Sequence, residues 1–93
     1  MKLLFHTTNE GKEILKDKII RGNPNVSLSK SVLPQWGNEV IGIPFENLEN
    51  LSRNINQDFI KYEDEYQYIG DLSLNNISFV YFKIKYSPYS AKG

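Results

Sequence analysis

Three short polar groupings hold most of the chemistry open to this 93-residue sequence: His6-Thr7-Thr8, Ser27-Leu28-Ser29 with Lys30-Ser31 beside it, and Glu63-Asp64-Glu65. An imidazole where a strand gives way to a helix can donate to a ligand hydroxyl, and the amides that open the helix favour an anion. Hydroxyls two residues apart on a strand share a face and can line a cleft. Glu63 and Glu65 share a face by the same alternation. Paired carboxylates raise each other's proton affinity and can stabilise a cationic transition state at a sugar carbon. Each grouping also has a plain structural use. His6 can end a strand while Thr7 caps a helix, the serines can face water on an edge strand, and acids at strand ends are commonly solvated. Trp36, beside Gly37 in a polar loop, is either a lid ring that stacks on a base or nicotinamide, or a plug over one end of a small core.

Composition narrows the classes. There is no cysteine, which removes disulfides, a thiol nucleophile and thiolate metal sites together. With one histidine, no metal site is expected. Lys+Arg and Asp+Glu both total 11, so the formal net charge is zero and sequence-independent nucleic-acid binding is not expected. The start MKLLFHTT turns polar too soon for a signal peptide, and no run approaches the roughly 20 apolar residues of a membrane helix. A cytoplasmic protein without membrane contact is the expectation.

The elements that must position these groups read as follows. Lys2 to His6 is a short apolar strand. Thr7-Thr8-Asn9-Glu10 fits a capping box, with the Thr7 hydroxyl accepting from the Glu10 amide, and predicts a helix over residues 8–20 that buries Ile14, Leu15 and Ile19. Val26-Ser27-Leu28-Ser29 alternates with period two, and residues 32–38 read as a loop. Glu39 to Phe45 is a strand anchored by Ile41, Ile43 and Phe45, with Pro44 at its end. Leu48 and Leu51 suit one or two helical turns. Phe59 to Tyr62 and Glu65 to Ile69 are short strands, with turns at Gly70-Asp71 and Asn75-Asn76. Ile77 to Tyr86, apolar on both faces as far as Phe82 except at Ser78, reads as a central strand. The expectation is a compact α+β domain over residues 1–86, one N-terminal helix and a short helical turn packed on about five to six strands, followed by a flexible C-terminal tail at 87–93.

The order and spacing of the three groupings resemble the ADP-ribosyltransferase-like fold. In that superfamily an early strand carries His or Arg, a middle strand a Ser/Thr-rich motif, and a late strand the catalytic Glu, often within Glu-x-Glu. Phe5-His6-Thr7-Thr8, Val26 to Ser31 and Glu63-Asp64-Glu65-Tyr66 are the matching pieces. The segment Glu65 to Leu74 is similar to the glutamate strand of small phage and bacterial members, in which an acidic-aromatic stretch leads into a Gly-Asp turn. The resemblance runs from His6 to about Ile84. It implies that His6 binds a ribose hydroxyl of NAD, that Thr7 or Thr8 contacts the adenosine side, and that Ser27 and Ser29 shape the nicotinamide-ribose pocket. It further implies that Glu65 orients the ribose 2′-hydroxyl and stabilises an oxocarbenium-like state as nicotinamide leaves, while Glu63 activates the acceptor.

Two functions follow as expectations. One is a mono-ADP-ribosyltransferase that uses NAD to modify a host or defence protein. The other is a non-catalytic, anti-CRISPR-like inhibitor that blocks a host immune protein or sequesters a nucleotide, suggested by the small size, the neutral charge and the acidic stretch at 58–71.

Overall fold

Period-two alternation of apolar residues gives the described part of this chain more strand than helix. The structure, a computed structural model, describes residues 2–49, 59–62 and 65–85. In chain order the elements are β1 (Leu3–Thr8), α1 (Gly11–Asp17), β2 (Ile19–Ile20), β3 (Asn25–Ser29), a single 3₁₀ turn (Pro34–Trp36) and β4 (Glu39–Pro44). Helical backbone over 45–49 follows, then β5 (Phe59–Tyr62), β6 (Glu65–Ile69), β7 (Leu72–Ser73) and β8 (Val80–Lys83). Among the described residues, six strands form one sheet in the order β5-β6-β3-β1-β4-β8, and β2 pairs separately with β7. Every pairing is antiparallel. The chain is a compact single-domain α+β protein with a mainly antiparallel sheet.

One face of the sheet carries the core. Leu4, Val26, Leu28, Ile41, Ile43, Tyr66 and Tyr68 are buried there, against Ile14 of α1, Ile20 of β2, Leu48, Leu72 and Leu74. Each fully buried aliphatic contributes roughly 1.5–3 kcal/mol relative to exposure, so this layer is the main source of stability. The expected alternation of β3 holds: Val26 and Leu28 are buried at 1% and 0% exposure, opposite Tyr68 and Tyr66 of β6. Ile41 and Ile43 anchor β4 as expected, and Pro44 ends it before the helical turn. Leu51, the other half of the expected helical pair, lies outside the described residues, as does the tail at 87–93.

Three local expectations need correction. The helix is α1 alone, not 8–20, because Lys18 enters the left-handed region (φ 58°) with its amide on the Ile14 carbonyl at 2.7 Å. That closure turns Ile19–Ile20 into a strand on Leu72–Ser73, where Ile20 is buried and Ile19, expected to face inward from a helix, is only half-buried. The capping box is absent. Thr8, not Thr7, accepts from the Glu10 amide (2.9 Å), β1 runs on through Thr8, and the Thr7 hydroxyl accepts instead from the Leu33 amide (3.1 Å). Finally, Ile77 to Tyr86 is no central strand: β8 is four residues long and lies at a sheet edge among the described residues. Ile77 and Phe79 pack on the core before the strand begins, while Val80 and Phe82 stand exposed on the opposite face. A mostly apolar run is equally the product of a core-packing lead-in followed by an edge strand.

Candidate functional site

Ladder register decides which predicted residues meet. Directly opposed residues in an antiparallel ladder share a face. Leu4 and His6 lie opposite Ile43 and Ile41, and Thr8 opposite Glu39, which places His6 and Thr8 on the core face of β1. Phe5 lies opposite Ser29, Ser29 opposite Glu65, and Ser27 opposite Gln67, so Ser27, Ser29 and Glu65 share the other face, together with Thr7. β1, β3 and β6 are consecutive neighbours in the sheet. His6 and Glu65 nevertheless point to opposite sides of it. Glu63 lies outside the described residues.

The serine face is largely committed to local structure. Ser29 Oγ, buried, donates to the Ser31 carbonyl at 2.7 Å, and Asn25 Nδ2 donates to Gln67 Oε1 at 2.9 Å. Glu65 is half-buried beside them. Trp36 is 44% exposed at the end of the 3₁₀ turn, so it is not a plug over the core. Gly37 packs behind it, close enough to Thr8 that an added Cβ would lie 2.3 Å from the Thr8 carbonyl carbon.

His6 has the more developed environment. β1 and β3 share a single registered pair, Phe5 with Ser29, and the His6 ring reaches across beyond it to the Ser27 carbonyl, with Nδ1 3.0 Å from the oxygen. A carbonyl only accepts, so Nδ1 carries the proton and donates, and Nε2 is left with a lone pair. Burial pushes the imidazole pKa below its ordinary value, against smaller upward pulls from the Ser27 bond and from Glu10. The neutral ring is thereby favoured near pH 7.

The ring lines a cavity of about 100 Å³ whose floor includes Ile14 and Ile20 and whose walls include Glu10, Asp17 and Arg21. Arg21 Nη2 lies 3.7 Å from Asp17 Oδ2, with both side chains largely in solvent, so the pair contributes little to stability. Pockets that bury a drug-sized ligand run from about 300 to 1,000 Å³. This cavity therefore has room for one ring-sized polar group and not for a dinucleotide. Ser29 and Glu65 are not among its walls.

Sequence reasoning missed two parts of this arrangement. Glu10 reads as a cap and Arg21 as loop until Lys18 is known to close α1. The i, i+4 spacing of Asp17 and Arg21 was the available signal. Glu39 also went unremarked. It is 6% exposed, and its carboxylate accepts from the Gly11 amide (3.1 Å) and the Tyr81 hydroxyl (2.7 Å), fixing the start of α1 over the sheet. A lone acid in the apolar run of β4 was the visible clue. Among the described residues no group of three or more His, Cys, Asp or Glu is placed to hold a metal, and no helix is long and apolar enough to cross a membrane. No protein-family model, curated protein or solved structure matches the chain.

Proposed function

We propose that this chain is an ADP-ribosyltransferase-like protein that binds NAD beside His6 and modifies a host or defence protein. The observation that supports this reading is the fixed imidazole. Its Nδ1 is held by the Ser27 carbonyl, and the ring lines a cavity at the junction of β1 and α1, so Nε2 is the nitrogen left for a ligand. The resemblance puts a ribose-binding His at this strand. The cavity size suits one ribose, with the remainder of the nucleotide lying along the surface by Thr8. NAD, when bound, supplies an ADP-ribosyl group with nicotinamide as its leaving group. His6 accepts from a ribose hydroxyl, while Glu65, the carboxylate to which the resemblance assigns the transfer, stands on the opposite face of the sheet.

The opposed directions of His6 and Glu65 favour a second reading: the same nucleotide site without turnover, in an inhibitor of the anti-CRISPR type that blocks a partner or sequesters a nucleotide. The two are separated by incubating the protein with labelled NAD and host lysate. Transfer of label that is lost in Glu65→Gln supports the enzyme. NAD binding without transfer supports the inhibitor, and transfer unchanged in Glu65→Gln removes Glu65 from the chemistry.

A further inference from the structure

We infer that the outer edge of β8 pairs with the same strand of a second copy, antiparallel about a two-fold axis at Tyr81, so that two sheets join into one. The inference is independent of the nucleotide reading, because no residue lining the cavity beside His6 belongs to β8.

Backbone parity decides which groups of β8 face outward. Along an antiparallel strand, residues alternate between those whose N–H and C=O turn to one neighbour and those whose groups turn to the other. The Ile84 amide donates to the Asn38 carbonyl (2.8 Å), one step beyond the registered pairs of β8 with β4. Phe82 with Val40 and Val80 with Gly42 are therefore the hydrogen-bonded pairs. The Phe45 amide on the Lys2 carbonyl (2.8 Å) fixes the same parity independently, since it commits the backbone groups of Ile41 and Ile43 to β1. The N–H and C=O of Tyr81 and Lys83 consequently turn away from β4, to a side where no strand among the described residues meets them. Such an edge is a template for a further strand.

The side chains fit that further strand to a second copy. Val80 is 46% and Phe82 40% exposed, on the face away from the core. Phe82 packs edge-on to Phe5, with ring centroids 6.5 Å apart, and Val80 lies over Gly42. When two copies join with their core layers on one side, opposed residues must share a face, which permits a two-fold axis at Tyr81 or at Phe82 and none between them. The axis at Tyr81 sets Val80 against Phe82 of the second copy, twice, as non-hydrogen-bonded pairs whose side chains approach most closely. Lys83 then overhangs the end of the other copy's four-residue strand, with its ammonium in water. An axis at Phe82 would overhang apolar Val80 instead. Charge raises no obstacle: the formal net charge is zero, and antiparallel pairing sends Lys83 and Lys85 of the two copies to opposite ends. Strands this short bury less than the roughly 1,200–2,000 Å² of a stable interface, so the dimer is reversible, with a dissociation constant on the order of 100 µM.

The test is sedimentation equilibrium of the intact chain from about 10 µM to about 1 mM, with amide exchange measured by NMR at both ends of that range. The mean mass should rise towards twice that of the monomer. About four-fifths of the chains are then paired at the upper end, so the outward-facing Tyr81 amide should exchange about fourfold more slowly there. Val80→Lys, folded by circular dichroism, should weaken the dimer about tenfold, because symmetry makes the lost apolar pair count twice. The chain has no cysteine, so mixing Val80→Cys protein with Phe82→Cys protein under mild oxidation reads the register. The mixed disulfide should exceed either symmetric one, since non-hydrogen-bonded pairs approach within disulfide range. A chain that stays monomeric at about 1 mM would overturn the inference and leave the edge to a strand of another protein. So would a dimer in which Tyr81 exchanges as it does in the monomer, or one in which the symmetric Phe82→Cys disulfide dominates.

Discussion

Replacing Glu39 with Ala removes the hydrogen bond that ties the start of α1 to the sheet and a second that links β4 to β8, because Oε1 accepts from the Gly11 amide and Oε2 from the Tyr81 hydroxyl. A hydrogen bond to a charged group contributes roughly 1.5–3 kcal/mol, and a buried donor left without a partner costs about 1–3 kcal/mol. Gly11 is buried, so its amide has no ready substitute, whereas the half-buried Tyr81 hydroxyl can turn to water. Glu39→Ala is therefore expected to lose about 3 kcal/mol. Glu39→Gln keeps an acceptor for the Gly11 amide and should lose about 1 kcal/mol. At about 4–8 °C per kcal/mol for a domain of this size, the Ala variant should melt roughly 12–24 °C lower and the Gln variant roughly 4–8 °C lower. Thermal unfolding followed by circular dichroism at one pH reads both. Equal losses in the two variants, or an Ala variant within about 3 °C of the parent protein, would refute the acceptor argument.

Three further outcomes are expected. Gly37→Ala should destabilise by about 2 kcal/mol or more, since φ is +153° there and the new Cβ would lie 2.4 Å from the Thr8 carbonyl oxygen; urea unfolding measures it. Burial depresses the folded-state pKa of His6, so the unfolded chain binds a proton that the folded protein resists, and stability should fall as pH drops through about 6.5 and below. The urea midpoint at pH 7.5 and pH 5.5 should differ more for the parent than for His6→Asn, and equal differences would contradict the assignment. The hydrogen bond to Glu39 raises the Tyr81 pKa and requires a protonated phenol, so its contribution is complete below about pH 10 and declines above. Ultraviolet titration of the phenols should show a late-ionising tyrosine that disappears in Tyr81→Phe.

The sequence was most informative where side-chain alternation governs. Val26 and Leu28 against Ser27 and Ser29, and Ile41 with Ile43, declare their faces by period two, and the structure keeps them. It was least informative where one residue ends an element. Nothing in the type of Lys18 announces a left-handed closure, a conformation usually taken by glycine, so the apolar pattern carries the expected helix three residues too far. The choice between Thr7 and Thr8 as the group that meets Glu10 depends on where β1 stops, and ladder pairing to β4 carries that strand two residues beyond its apolar part. The candidate site was legible as residue types and not as geometry. That His6 lies near the serine strand could be read from the sequence. That it faces α1, while Ser29 and Glu65 face away, depends on the Phe5–Ser29 register, which only the folded sheet reveals.

The central claim is that the His6 side of the sheet binds NAD. Mapping NAD-induced amide shifts across the ¹⁵N-labelled protein tests it most directly. The account predicts saturable shifts at His6, Thr8, Glu10 and Arg21, reduced in His6→Asn with the remaining spectrum preserved. Shifts that avoid these residues, or an unaltered spectrum at millimolar NAD, would contradict it.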